Sequence, residues 1–250
     1  MDRLAITFDF HNTLATCPEW FELEVRTLPS AFLGWWGARD VGTPVAERLD
    51  DADARYRDLR RDIMAHGNEQ DAASCLETVF EAMGITVPDA AVRDGIEHLM
   101  REALRGAAPV PGAVETVRQI HEAGIAIGIV SSAVYHPFLE WTLEEFGIAD
   151  AVEVIVTSAS AGFYKSRPEI FLHAAHALGA APARTVHVGD SLRFDVGGAA
   201  RAGMGTVWYQ HDGGRHDGDA AVPDLTLGSL EAAAPEILRV LHARTAAAAG

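Results

Sequence analysis

Residues 4–14 read LAITFDFHNTL, and the other predicted elements are organised around this stretch. Its first half is an apolar run that predicts a buried strand ending at Asp9, after which Asn12 and Thr13 turn the chain. Parallel α/β sheets bind ligands beyond the carboxyl ends of their strands, so Asp9 is expected to project into that crevice. A carboxylate there can act as a nucleophile or a metal ligand, although a single Asp is also a common turn cap.

The composition indicates a globular protein with a sizeable core. The chain has 250 residues, 48% of them apolar, and this length suggests one large domain or two. A net charge of -16 argues against general nucleic-acid binding, and no apolar run approaches the ~18 residues of a membrane span. The N-terminus has no signal-peptide pattern, and Cys17 and Cys75 form neither a disulfide framework nor a paired metal motif. We therefore expect a cytoplasmic protein without nucleic-acid or membrane partners, whose oligomeric state the sequence does not specify.

A helical insert is expected at residues 16–106, where helical patterns and stop signals follow one another. Pro18 can open the first helix and Pro29 interrupts or ends it, while Thr43 and Pro44 supply a cap and a first-turn proline for the next. This second helix covers residues 46–65, and the third and fourth cover residues 71–83 and 89–104. Each of the three stops near a glycine. Four helices with short connections predict a bundle-like unit.

Strands and helices alternate from Pro109 onward. The predicted strands are residues 125–130, 152–156, 185–188 and 206–209, with 225–227 as an edge strand. Helices are predicted before, between and after them, at residues 111–123, 137–146, 168–178, 195–202 and 229–243. This alternation predicts a parallel, doubly wound sheet. The polar loop 210–219 contains His211 and His216, which could bind a metal but are better explained as solvated loop residues.

Polar side chains of complementary kinds follow four of the predicted strands. Asp9 follows the first and Ser131 with Ser132 the second. Lys165, the single lysine among 20 basic residues, lies in the loop AGFYKSRP after the third. Asp190 and Asp195 follow the fourth in HVGDSLRFD. Each residue alone fits a cap or a solvated charge, but together the hydroxyl, ammonium and carboxylate groups predict a site for phosphate and Mg²⁺.

These stretches resemble the motifs of the haloacid dehalogenase-like hydrolases, in the branch with an α-helical cap of the C1 type after the first motif. The matching segments are DFHNTL (9–14), IVSS (129–132), the Lys of GFYKSRPEIF (162–171) and GDSLRFDVGGAARAGM (189–204). The resemblance implies a Rossmann-like α/β core formed by residues 1–15 and 107–250, with residues 16–106 as the cap. It also implies a Mg²⁺-dependent phosphatase that hydrolyses a small phosphorylated metabolite through an aspartyl-phosphate intermediate.

The resemblance also implies roles for individual residues. Asp9 would be the nucleophile and a Mg²⁺ ligand, Asp190 the other carboxylate on the metal, and His11 a ligand through its backbone carbonyl. Lys165 would bind the transferring phosphoryl group together with Ser131 and Ser132, and Asp195 would orient Lys165 or metal-bound water. Substrate selection would fall to the cap. There, Arg55, Arg57, Arg60 and Arg61 could meet an anionic substrate, although a solvated helix face is the stronger interpretation.

His11 departs from the family pattern, because most of its phosphatases carry an acid/base Asp at this position. Imidazole can exchange protons near neutral pH, and Mg²⁺ and Lys165 nearby should favour its neutral form. A neutral imidazole can accept a proton from water but cannot protonate a departing alkoxide as imidazolium. The alternative is that His11 points into the cap and does no acid/base work.

Three other functions compete with phosphatase activity. Hydrolysis of a carbon–halogen bond is disfavoured by the acidic pair of GDSLRFD, since the dehalogenases of this family need no metal and typically lack that pair. Phosphonate cleavage in this family uses a cap lysine, which this chain does not have because Lys165 is its only lysine. A non-catalytic binding or regulatory protein that lost the acid at position 11 remains the alternative from another class.

Overall fold

The computed structural model describes residues 3–39, 48–211 and 221–248. Its strands are β1 (Arg3–Phe8), β2 (Ala15–Thr16), β3 (Ala108–Pro109), β4 (Ala126–Ser131), β5 (Val154–Thr157), β6 (Ala180–Gly189), β7 (Gly205–Tyr209) and β8 (Leu225–Leu227). Its α-helices are α1 (Pro18–Glu22), α2 (Leu28–Gly37), α3 (Leu49–His66), α4 (Ala72–Met83), α5 (Asp89–Leu104), α6 (Ala113–Glu122), α7 (Pro137–Glu145), α8 (Ser158–Ala161), α9 (Glu169–Ala177), α10 (Gly197–Arg201) and α11 (Ala234–Ala248).

The main sheet is parallel and places β1 near its middle. Its strand order is β5-β4-β1-β6-β7-β8, and β1 pairs directly with β4 and β6. Alternate residues of β4 face opposite sides: Ile129 packs into the cluster that contains α6 and α11, whereas Val130 packs with Phe171 of α9. Both faces are therefore covered, which is why the inner strands are continuously apolar. The predicted doubly wound α/β class is confirmed.

The helical insert differs from the prediction in its number of helices. Five α-helices, rather than four, lie between β2 and β3 within the described residues. Pro29 does not end the first helical segment. It occupies the first turn of α2, where its missing N–H is tolerated, and a π-helical turn (Leu23–Thr27) joins α1 to α2. The predicted cap at Thr43 and Pro44 lies outside the described residues.

Two other predicted boundaries are wrong. The last helix begins at Ala234 instead of residue 229, and its second residue, Pro235, lacks the N–H that a helix interior requires. The segment before it is tied to α6 instead, because the Thr116 hydroxyl donates to the Leu230 carbonyl at 2.7 Å. A π-helical turn (Leu192–Val196) precedes α10, so this helical segment starts before residue 195.

The insert is joined to the sheet by a short antiparallel pair and by buried side chains. β2 pairs with β3, so the chain leaves and re-enters at one point. Trp20 of α1 stacks on Phe138 of α7 with ring centroids 5.0 Å apart, and its edge meets Phe10 at 5.6 Å. The division into a core of residues 1–15 and 107–250 and a cap of residues 16–106 stays a prediction. None of the helices in the described ranges combines the length and apolar character needed to cross a bilayer.

We expect Phe138→Ala to lower the free energy of unfolding by about 3–5 kcal/mol, because the ring is fully buried between the insert and the sheet. Phe21→Ala is the matched control: its ring is 38% exposed, so the loss should be about 1 kcal/mol or less. Urea denaturation of the two variants measures the difference. Equal losses would contradict the burial of Phe138 at this junction.

Candidate active site

The seven residues that the motifs single out line one cleft, whose volume is about 500 Å³. They lie after β1, at the end of β4, in the loop between α8 and α9, and after β6, and they are Asp9, His11, Ser131, Ser132, Lys165, Asp190 and Asp195. Because β1, β4 and β6 are parallel neighbours, their carboxyl ends meet at the same edge of the sheet. The structure therefore brings all seven together; their chemical roles stay predictions.

Lys165 lies between two carboxylates at the base of the cleft. Its side chain is 3% exposed, and its ammonium group donates to Asp195 Oδ1 at 2.6 Å and also to Asp9 Oδ1. The Thr13 hydroxyl donates to the other Asp9 oxygen at 3.1 Å. Burial alone would lower the pKa of Lys165, but Asp195 and Asp9 together raise it above its ordinary value. Lys165 is thus held as a permanent cation.

The two carboxylates that share Lys165 differ in their electrostatics. Burial raises the pKa of Asp9 to about 6, although the charge of Lys165 opposes the rise. Burial acts in the same direction on Asp195, but Lys165 and His187 outweigh it and hold the pKa of Asp195 below its usual range. The backbone N–H of Ser191 also donates to Asp195 Oδ2 at 2.9 Å. Both Asp195 oxygens are occupied within the protein, which suits an orienting role.

Asp190 is the third carboxyl group at the base of the cleft. Burial and the nearby Asp9 raise the pKa of Asp190 to about 8, against a hydrogen bond from the Asn12 side chain that lowers it. Ligand oxygens of Asp9, Asp190 and Asp195 lie within 4.8 Å of one another. The Asp195 side chain is only 2% exposed and accepts hydrogen bonds from Lys165, His187 and Ser191. The side chains of Asp9 and Asp190 are 10% and 21% exposed, so these two carboxylates are the more open to a cation. This oxygen-only donor set fits Mg²⁺, which commonly takes one or two carboxylates.

His11 faces the aromatic side chains of α1. Its ring is stacked on Phe21 with centroids 4.5 Å apart and planes 4° from parallel, and it lies 5.7 Å from the ring of Trp20. Burial, and to a lesser degree the nearby His211, lower the pKa of His11 to about 4. The imidazole is therefore neutral at neutral pH, as the sequence predicts. From the sequence, Mg²⁺ and Lys165 are expected to favour this form, whereas in the structure burial and His211 lower the pKa.

Sequence reasoning missed two histidines of this site. The His187 Nε2–H donates to Asp195 Oδ1 at 3.2 Å, since a carboxylate can only accept, and its Nδ1 is 2.9 Å from the Thr7 hydroxyl. His187 lies on β6 only three residues before Asp190, and this position in the sequence could have indicated that it belongs to the site. His211 was assigned to a solvated loop, but its Nε2 lies 3.3 Å from Asp190 Oδ2. His216 lies outside the described residues.

Two glycines in the fourth motif are explained by close packing. A Cβ added to Gly189 would lie 2.4 Å from Asp195 Cγ, so any side chain there would push this carboxylate away from Lys165. A Cβ at Gly198 would lie 2.8 Å from the backbone oxygen of Lys165 and 2.4 Å from the Phe171 ring. The glycines therefore let the turn after β6 and helix α10 approach the site closely.

Glu24 is a further residue that the motifs did not reveal. It lies in the π-helical turn, lines the cleft and is 2% exposed. Its Oε2 accepts the Val134 N–H at 2.7 Å, whereas Oε1 has no hydrogen-bond partner in the part of the chain that the structure describes. Burial raises the pKa of Glu24 to about 8, although Val134 and Arg60 oppose the rise. A buried carboxyl that is neutral at neutral pH therefore joins the insert to the loop after β4.

The arginines of α3 do not form one solvated face. Arg60 is 4% exposed and pairs with Glu69 at 2.5 Å. Arg57 and Arg61 are exposed but line the cleft, whereas Arg55 pairs with Asp51 and is not part of its lining. The sequence-based interpretation of these arginines as a solvated helix face is therefore wrong for Arg60. Arg57 and Arg61 are exposed as it expects, but it does not account for their position in the lining of the cleft.

The family model of haloacid dehalogenase-like hydrolases matches residues 4–203. The chain belongs to this family of hydrolases. The solved structure of a 2-haloacid dehalogenase from Pseudomonas syringae has the same fold as this hydrolase, with a TM-score of 0.67 at 22% identity over 95% of this chain and 98% of that one. The family and the fold class predicted from the motifs are both confirmed.

Curated relatives of this hydrolase include phosphatases. A glyceraldehyde 3-phosphate phosphatase from Methanopyrus kandleri is 38% identical over 125 residues, which cover 48% of this chain and 52% of that protein. A phosphoserine phosphatase from Thermus thermophilus is 31% identical over 159 residues, which cover 54% of this chain and 61% of that protein. The chain spans about half the length of the curated relatives it matches.

Glu24 should make stability depend on pH. Its folded pKa of about 8 lies above the unfolded value of 4.5, so the stability it contributes is complete below pH 4.5 and is lost as the pH rises through 8. Gln keeps the acceptor for Val134 but cannot ionise. At pH 8 we expect Glu24→Gln to exceed wild type by about 1 kcal/mol or more in unfolding free energy, with a smaller difference at low pH.

The matched control is Glu22→Gln, because the Glu22 side chain is 46% exposed. Urea denaturation of wild type and both variants at intervals from acid to pH 8 measures the effect. A Glu24→Gln curve parallel to that of wild type would show that Glu24 is ionised in the folded protein.

Proposed function

We propose that this hydrolase is a Mg²⁺-dependent phosphatase that acts on a small phosphorylated metabolite through an aspartyl-phosphate intermediate. The observation that carries the proposal is the position of Asp9: a buried carboxylate at the end of the central strand, held by Lys165 and Thr13 and open to the cleft. The named activities of the phosphatase relatives support the same reaction class. A cleft of about 500 Å³ suits a small ester.

The residues of the cleft divide the work of phosphoryl transfer. The Lys165 ammonium and the hydroxyl groups of Ser131 and Ser132 bind the oxygens of the phosphoryl group. Mg²⁺ held by Asp9 and Asp190 would offset the repulsion between these carboxylates and neutralise charge on the phosphoryl oxygens. Asp195, fixed by His187 and Ser191, keeps Lys165 in place. Positioning and charge stabilisation are the main contributions that a protein makes to this reaction.

The reaction proceeds in two displacements at phosphorus. In the first, an Asp9 carboxylate oxygen forms a bond to phosphorus while the ester P–O bond breaks, and the bonding pair leaves with the alcohol oxygen, which then takes up a proton. In the second, water attacks phosphorus, loses a proton, and displaces the Asp9 carboxylate. The products are the alcohol and inorganic phosphate, and Asp9 is regenerated.

The first test is hydrolysis of p-nitrophenyl phosphate with and without Mg²⁺. We expect EDTA to abolish turnover and excess Mg²⁺ to restore it, because the cation offsets the repulsion between Asp9 and Asp190. Asp9→Asn should lower turnover by at least about 10³-fold, since the amide cannot attack phosphorus. Asp150→Asn, at an exposed carboxylate, is the control.

Each outcome of this test addresses a separate part of the proposal. Turnover that persists in EDTA would overturn the metal requirement. Wild-type turnover by Asp9→Asn would overturn the covalent mechanism. No turnover of any phosphate ester by wild type would favour the alternative of a non-catalytic binding protein.

A second prediction concerns His11. A neutral imidazole stacked on Phe21 gives little help in protonating a departing alkoxide, so aryl phosphates, which leave easily, should be far better substrates than alkyl phosphates. General acid catalysis typically contributes about 10²–10⁴-fold. We expect His11→Asp to accelerate alkyl phosphates more than aryl phosphates and so to narrow the gap. The ratio of kcat/KM for phenyl phosphate to that for ethyl phosphate is the measurement, and an unchanged ratio would show that position 11 does no acid/base work.

A further inference from the structure

The helix α3 presents one face to the cleft. Arg57, Arg60, Arg61 and Met64 all line it, and their spacing of three, four and seven residues from Arg57 places them on the same side of a helix. The same lining holds Asp9, Lys165 and Asp190, where the phosphoryl group would bind. Whatever is attached to the phosphoryl group therefore shares the cleft with these arginines.

Among the arginines of α3 that line the cleft, Arg60 is part of a buried ion pair and is not available to a ligand. Its two terminal nitrogens donate to Glu69 at 2.5 and 3.2 Å, and the pair is almost completely buried. Glu69 in turn accepts the hydroxyl of Ser158, at the start of α8, at 2.7 Å. The charge of Arg60 is compensated inside the protein, and its side chain joins the insert to α8.

Arg57 and Arg61 are cations that the protein compensates only weakly. Arg61 pairs with Asp58 at 2.9 Å, but both side chains are more than 70% exposed, and a pair of this kind contributes little and is easily exchanged. Arg57 has no ion pair within residues 3–39, 48–211 and 221–248. Two guanidinium groups one helical turn apart also repel each other, at a cost of about 0.2–0.5 kcal/mol. The local fold therefore gains nothing from this arrangement.

The acidic groups of this lining do not cancel that charge. Glu24, which lines the cleft beside Val25, is protonated at neutral pH because burial raises its pKa to about 8. The other carboxylates of the lining, Asp9, Asp190 and Asp195, belong to the phosphoryl end. The face that α3 contributes to the lining is therefore positively charged. It would attract an anion locally, although the protein as a whole, with a net charge of -16, repels anions.

We propose that Arg57 and Arg61 bind a second anionic group on the substrate, so that the preferred ester carries a carboxylate or a second phosphate besides the phosphate that is removed. Guanidinium groups suit this task because their planar fork pairs with two oxygens of either anion. The inference rests on the proposed phosphatase function and specifies its substrate class: phosphorylated hydroxy acids or bisphosphates.

The test compares substrates that differ in this group alone. One pair is 3-phosphoglycerate and glycerol 3-phosphate, which differ by a carboxylate in place of a hydroxymethyl group; the other is fructose 1,6-bisphosphate and fructose 6-phosphate. In at least one pair, we expect wild type to prefer the ester that carries the second anionic group by about tenfold or more in kcat/KM. The pair that shows the preference distinguishes a carboxylate from a phosphate.

The double variant Arg57→Gln/Arg61→Gln should lower that preference about tenfold, mainly through KM, since the interaction is made with the bound ester in both ground and transition states. Arg55→Gln on the same helix is the matched control and should keep the wild-type ratio, because Arg55 lies outside the cleft. The double variant Arg57→Lys/Arg61→Lys, which keeps the charges but loses the planar fork, should retain part of the preference. Urea midpoints close to that of wild type would establish that the variants fold.

Two outcomes separate this inference from the function on which it rests. Turnover of p-nitrophenyl phosphate by wild type, with no preference in either pair or with a preference that survives in the double Gln variant, overturns the inference and leaves the phosphatase proposal standing. Failure of wild type to hydrolyse any ester, including p-nitrophenyl phosphate, overturns both.

Discussion

The rest of the site depends on one ammonium group placed between two carboxylates. Lys165 contacts Asp9 and Asp195, and the three side chains are between 2% and 10% exposed. Without this cation, two carboxylates would be buried side by side, and removing one partner of a buried ion pair typically costs about 3–5 kcal/mol. With it, Asp195 stays ionised and fixed, and Asp9 keeps one of its oxygens oriented by Thr13. The compact ammonium of the single lysine in this chain contacts both carboxylates from one point, whereas a planar guanidinium presents its donors in a wider fork.

That cation does not balance the site completely. Ligand oxygens of Asp9, Asp190 and Asp195 lie within 4.8 Å of one another, and burial, together with repulsion between these carboxylates, raises the pKa of Asp9 and of Asp190. A site in this condition favours binding of a further cation at Asp9 and Asp190 and of an anion at Lys165. The same imbalance suits phosphoryl transfer, where charge must be neutralised on both the carboxylates and the transferring group.

The helical insert contributes to the site through its position after the first motif. Because the chain leaves through β2 directly after Thr13 and returns through β3, α1 and α3 come to lie over the carboxyl ends of the strands. Trp20 and Phe138 fill the junction with a ring stack, and Glu24 and Glu69 bind groups of the core across it. Aromatic, neutral and cationic side chains of the insert thus line the same cleft as Asp9, Asp190 and Asp195. Under the proposed function, this arrangement would separate the chemistry, at the strand ends, from selection of the leaving group, on the helices.

The alternation of strands and helices and the motif residues could be predicted from the sequence, because they depend on local periodicity and on residue types at strand ends. Asp9, Ser131, Lys165 and Asp190 follow strands that hydrophobic runs identify, and their convergence follows from the geometry of any parallel sheet. The remaining features of the site depend on packing between segments that are distant in the chain, so they could not be predicted from local patterns. His187 and His211 become site residues because β6 and the end of β7 lie beside Asp195 and Asp190. The different environments of Arg57, Arg60 and Arg61 depend on Glu69 and on the cleft, and no pattern within α3 encodes either one.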